Sequence, residues 1–224
     1  MTSIQPSRKG AMSSPRELSL PARVYLLSCR GGRVPDRQRV GYLVRAAALT
    51  ELLLCGRILD HDGFVGAVPG GSTGDPVLDE VLGQIVEGGS RKWRHWVRKD
   101  HRRALDSVEE QLSAERAIVL TRTRLFRLRR VEVRDTASVN RLRSTVDKAL
   151  RGNGAVSQED AALVALVAAV ELKGVVPGRE RRRNKERLRE LEDHGGAAVP
   201  ALRKVFKELR QARTATVAAN GNSS

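Results

Sequence analysis

Cysteine is scarce in this 224-residue chain: Cys29 and Cys55 are the only two, too few for a disulfide framework or a four-thiolate zinc site. A reducing compartment is therefore expected. Aromatic residues make up 3% of the chain, so aliphatic side chains must fill the interior. Long apolar runs are lacking too. The longest, residues 161–170 and 46–54, fall short of the roughly 18 to 20 residues of a membrane span, and Thr50 and Glu51 break the second. Any membrane contact is then peripheral. Residues 1–20 are rich in Ser, Pro and charge without an apolar core, so no signal peptide is expected.

Constellations for chemistry are equally sparse. The four histidines show no His-Glu-x-x-His spacing, and His95 and His101, six apart, fall on different faces of a helix. Neither a metal nor a cofactor is expected. The run Gly70, Gly71, Ser72, Thr73, Gly74 matches the nucleophile-elbow pattern of hydrolases, but Pro69 interrupts the approach and few strand patterns precede it. A flexible loop is the better reading, with a weak hydrolase at Ser72 as a rival. The same glycines lack the Gly-Lys-Ser/Thr of a phosphate-binding P-loop. The chain reads as a non-enzyme.

What the chain has in abundance is positive charge, +15 with a pI near 11.0. Such a surplus attracts phosphate-bearing partners, nucleic acid or an anionic bilayer. Part of it is compositional, because Arg outnumbers Lys while Ala, Gly and Val are common, as in a high-GC genome. The pattern predicts a mainly α fold: one domain over residues 18–213 between tails at 1–17 and 214–224 that lack periodic apolar content. Helices are expected at about 40–54, with Gly56 just beyond the end, and at 76–86, where Asp75 caps and Pro76 takes the first position. One or two more fall within 92–112, followed by 138–150, 157–172, 179–192 and 199–212. Residues 161–170, apolar all round, should lie at the centre of the bundle. Residues 64–68 suit a short strand, and alternation over 118–133 predicts one β-hairpin.

Two basic clusters stand out. Residues 91–103 hold seven Lys and Arg around Trp93 and Trp96, which suit either base stacking or an interfacial anchor, or else the core side of a helix. In and just after the hairpin, Arg122, Arg124, Arg127, Arg129, Arg130 and Arg134 are set around Leu125, Phe126 and Leu128. Cations around exposed apolar side chains fit a membrane interface.

Residues 41–59 (GYLVRAAALTELLLCGRIL), 72–82 (STGDPVLDEVL), 91–112 and 160–172 carry a family likeness. Their order and spacing resemble the Golgi phosphoprotein 3 family, in the manner of a bacterial member. The likeness implies a helical bundle ringed by amphipathic helices, with a basic face applied to the membrane and a projecting hairpin used for self-association. It also implies binding of the phosphatidylinositol 4-phosphate headgroup, at a pocket built from an aromatic residue and three arginines. Arg45 matches the first arginine, the aromatic position falls near Asp36, and the remaining pair falls on Asp106 and Glu109 with charge reversed. Arg37, Arg102 and Arg103 are the candidates to replace the missing cations. The expectation is a cytoplasmic, peripheral membrane protein that binds anionic headgroups through Arg45, Arg37, Arg102 and Arg103, with Leu125, Phe126 and Leu128 supplying apolar or oligomeric contact. Poor phosphoinositide selectivity follows, with affinity expected to rise on changing Asp106 and Glu109 to Arg. The rival is a nucleic-acid-binding protein using Trp93 and Trp96.

Overall fold

The computed structural model describes residues 18–122, 129–152, 154–172 and 174–221, and the expected N-terminal tail lies outside them. The fold is mainly α-helical, as the periodicity predicts. Helix α2 (Arg37–Leu54) is its axis, packed on α1 (Leu20–Ser28), α3 (Pro76–Gly88), α4 (Trp93–Arg98), α5 (His101–Ala114) and α7 (Gln158–Ala169). Residues 161–168 of α7 are all buried, because a helix apolar on every side is stable only when enclosed on every side. Outside this core lie α6 (Thr136–Arg151), α8 (Gly178–Arg183), α9 (Lys185–Gly195) and α10 (Val199–Gly221).

Local chemistry sets the helix ends. The Asp75 carboxylate accepts from the Val77 and Leu78 amides at 2.9 and 3.0 Å with Pro76 at the first position, and Ser157 accepts from the Asp160 amide. Asp36 caps α2 by accepting from Arg39 N, so that helix begins three residues before the apolar pattern does. Gly56, at φ 66°, follows the end of α2 where a left-handed residue is needed. Basic residues 92–112 form two helices, split where Asp100 takes a left-handed conformation at φ 46°. Residues 179–192 likewise divide, at Asn184, into α8 and α9. α10 runs to Gly221, past the expected end near residue 212 and into the stretch read as a structureless tail. Alanine-rich sequence there offers little resistance to helix.

Two small antiparallel sheets accompany the helices. The first, in order β1–β2–β3, joins Ile58–His61, Phe64–Ala67 and Arg91–Lys92. Its β1–β2 turn is Asp62-Gly63, both at positive φ, which is the two-residue hairpin chemistry that best matches strand twist. The second is the expected hairpin, β4 (Ile118–Arg122) with β5 (Arg129–Val133), in register from Ile118↔Val133 to Arg122↔Arg129. Leu125, Phe126 and Leu128 at its tip lie outside the described residues.

One carboxylate ties α1 to α2. Glu51 accepts from the Leu20 amide at 2.7 Å, capping α1 from a neighbouring helix. Burial, with Asp75 and Glu159 nearby, pushes its pKa from 4.5 up to about 7. An acid held above its unfolded value binds more protons when folded, so this contribution to stability is present below about pH 4.5 and is lost as pH rises to about 7. Glu51→Gln is expected to keep the Leu20 bond and to flatten this dependence. The variant should be more stable than the parent by about 1–2 kcal/mol above pH 7, after discounting for partial exposure. Denaturant melts at acidic and neutral pH measure the difference.

Candidate anionic-surface site

Structure divides the expected binding arginines into buried, neutralised and free. Arg45 sits inside the bundle at 1% exposure, with its Nε donating to the Trp96 carbonyl at 2.8 Å and its Nη2 without a partner among the described residues. Burial pulls its pKa down to about 10, against the pull of Asp100 and Glu80. It does not face solvent, which corrects its expected place as a surface headgroup ligand: α2 packs against α4, and the Trp96 carbonyl takes its Nε.

Arg37 is engaged where the family likeness places the missing arginine pair. Asp106 is half-exposed on α5, whereas Glu109, three residues on, is fully buried. Its carboxylate accepts from Tyr25 Oη at 2.9 Å, from Arg37 Nη1 and, at 3.2 Å, Nη2, and pairs with Arg129 Nη1 at 2.6 Å. Asp106 Oδ1 takes Arg37 Nη2 at 3.0 Å and Arg129 Nη1 at 2.5 Å. Two cations and two carboxylates thus close an internal box that fastens β5 and the start of α2 to α5. Arg129, expected in the exposed cluster of the hairpin, has turned inward. An incoming phosphate would have to displace a carboxylate from both arginines. Arginine at both Asp106 and Glu109 would put four cations into this one cluster around the buried Glu109 position, where mutual repulsion opposes the phosphoinositide clamp that the likeness implies.

Arg103 ion-pairs with Glu80 while its side chain stays 72% exposed. Arg102 is exposed and has no ion pair among the described residues. Trp93 and Trp96 are core residues, at 7% and 0% exposure, with Trp93 Nε1 donating to Asp60 Oδ2 at 2.8 Å. Neither can stack on a base. Ser72 donates to Asp79, which also accepts from the Thr73 amide at 2.7 Å, so the serine shapes a loop, and no histidine bonds it among the described residues.

The exposed cations gather elsewhere, around the first sheet. Pairing places Leu59, His61, Phe64 and Lys92 on one outward face, because directly opposed residues point the same way. Leu59 and Phe64 are 62% and 41% exposed, and the Lys92 ammonium stands 5.5 Å from the Phe64 ring centre. Beside them opens a shallow cleft of about 600 Å³ lined by Phe64, Arg91, Lys92, Arg94, Arg98 and Lys99, with Asp100 as its carboxylate. Glu208 of α10 holds Arg94 and Arg98 at 2.5 and 3.0 Å and so fixes one wall. His95 also lines the cleft, and burial with Lys99 and Arg91 nearby lowers its pKa, favouring the neutral ring. In the sequence, the signal for this hairpin is the Asp62-Gly63 dipeptide, both residues at positive φ.

No helix among the described residues is long and apolar enough to cross a membrane. Comparison with curated proteins finds no match. Residues 20–209 match a family model described as Golgi phosphoprotein 3 (GPP34).

Proposed function

The chain belongs to the Golgi phosphoprotein 3 family, and on that premise we propose that it is a non-catalytic peripheral membrane protein that docks from the cytoplasm on anionic lipid headgroups. One observation supports this most: exposed Leu59 and Phe64 share a face with Lys92, and Phe64 lines the cleft that holds Arg91, Arg94, Arg98 and Lys99. Apolar side chains that enter the acyl boundary while cations meet headgroups are the chemistry of interfacial binding. Each Lys or Arg near an anionic leaflet contributes about 1 kcal/mol. The phosphate-clamping pocket implied by the family likeness is replaced by the Arg37–Glu109–Arg129 box, so the protein reads surface charge density rather than one phosphoinositide. Buried tryptophans remove the stacking platform on which the nucleic-acid reading relied.

Co-sedimentation with vesicles of neutral and anionic composition, beside a duplex DNA titration, tests the proposal. Binding should require anionic lipid, should show little preference for phosphatidylinositol 4-phosphate at matched charge, and should weaken with salt as screening shortens to about 8 Å. Tighter binding to DNA than to anionic vesicles at the same salt would overturn it.

A further inference from the structure

A second cationic feature lies between the C-terminal end of α6 and the bend where α8 meets α9. It is a groove of about 1150 Å³, lined by six Lys and Arg against three Glu, with Leu150 as its one apolar side chain and no aromatic residue. Cross-bridges tie its walls. Arg187 of α9 donates from Nε to the Ala149 carbonyl at 3.1 Å and from Nη2 to the Gly154 carbonyl at 3.0 Å, closing the end of α6. Arg151 of α6 reaches Glu180 of α8 at 3.3 Å. The groove is thus a built recess and not a chance gap between loose helices.

Four of its cations are left without a carboxylate partner among the described residues. Arg182, Arg183, Lys185 and Arg189 are exposed and have no ion pair among the described residues, although carboxylates elsewhere on the surface are widely paired. Four unpaired cations crowded into one recess repel one another, and a ligand carrying several negative charges relieves that repulsion. Arg clusters of this kind recognise acidic motifs through charge-assisted hydrogen bonds.

We propose that this groove docks an acidic segment of a partner protein. A bilayer fits it poorly, since the cations line a recess and no apolar side chain stands out beside them as Phe64 does in the other cleft. A nucleic acid fits poorly as well: Glu186 and Glu190 interrupt the cations and would oppose an unbroken line of phosphates, and no aromatic ring is present for stacking. A peptide can place acidic residues against Arg182, Arg183 and Lys185 and basic or neutral ones against the two glutamates. The groove would then let the protein hold a membrane and a protein client on separate surfaces.

The test uses the full chain and a fluorescent peptide of alternating Glu and Gly, read by anisotropy. Arg182→Glu, Arg183→Glu and Lys185→Glu together should weaken peptide binding roughly thirtyfold, as three exposed attractions become repulsions. They should leave binding to anionic vesicles within about threefold, a change of under 1 kcal/mol. The charge-matched control, Arg91→Glu, Lys92→Glu and Lys99→Glu, should do the reverse. All six side chains are exposed or half-exposed, and circular dichroism of each variant checks the fold. Equal loss of peptide binding in both variants would show nonspecific attraction to net charge and overturn the proposal. So would loss of vesicle binding in the groove variant, which would make the groove part of the membrane face. Displacement of the peptide by duplex DNA at lower concentration than by unlabelled peptide would assign the groove to nucleic acid and overturn it too.

Discussion

Glu109→Ala is expected to destabilise the protein by about 3–5 kcal/mol, the range for removing one partner of a buried ion pair. The carboxylate is at 0% exposure, accepts from Tyr25 and Arg37 and pairs with Arg129, so its loss leaves two guanidinium groups near each other and the Tyr25 hydroxyl without its acceptor. Asp106, 47% exposed at the side chain, cannot compensate for both cations and can be hydrated when its own partner is lost. Asp106→Ala should therefore cost much less, under about 1 kcal/mol. Asp106→Arg with Glu109→Arg should be the worst of the set, adding like charge to the same enclosure. Thermal and denaturant melts rank the variants. A Glu109→Ala protein as stable as the parent would mean that the box does not hold β5 to α5.

Changing Arg91, Lys92 and Lys99 together to Ala is expected to reduce partition onto anionic vesicles by about two orders of magnitude, from roughly 1 kcal/mol for each cation near the leaflet. Arg91 and Lys92 have no ion pair among the described residues and Lys99 stands 3.7 Å from Asp100, whereas Arg94 and Arg98 are held more closely by Glu208. Phe64→Ala should act differently. It removes apolar insertion and leaves charge intact, so binding should fall several-fold while its salt dependence stays steep. Arg45→Met should leave vesicle binding unchanged, since that guanidinium is enclosed. Liposome flotation over a salt series separates the three behaviours. Unaltered binding in the triple variant would place the membrane face elsewhere on the protein.

Much of the fold was legible in the sequence because its signals are local. Asp75-Pro76, Ser157 and Gly56 act on backbone groups within a few residues of themselves, and they set helix ends where expected. The all-apolar run in α7 could be stable only when enclosed, whatever the route of the chain around it. The β1–β2 hairpin was also legible, from Asp62-Gly63, but its strands are four residues each and carry no clear alternation.

The site was another matter, because a charged residue in a sequence does not announce its partner. On α5, Glu109 lies three residues from Asp106 and four from Leu105, and periodicity alone could set it on the solvent side. Tyr25 and Arg37, 84 and 72 residues away along the chain, make its burial tolerable by supplying donors that replace water. Arg45 reads identically in sequence to a surface cation, yet the close packing of α2 against α4 encloses it. Trp93 and Trp96 fit an exposed anchor and a core equally well until the packing around them is known. The sequence by itself determined a basic, helical domain, its caps and its central helix, since short-range sterics and hydrogen bonding govern these. Which of its cations remain free to meet a ligand was decided only by tertiary structure, because that depends on desolvation and on carboxylates brought from distant parts of the chain.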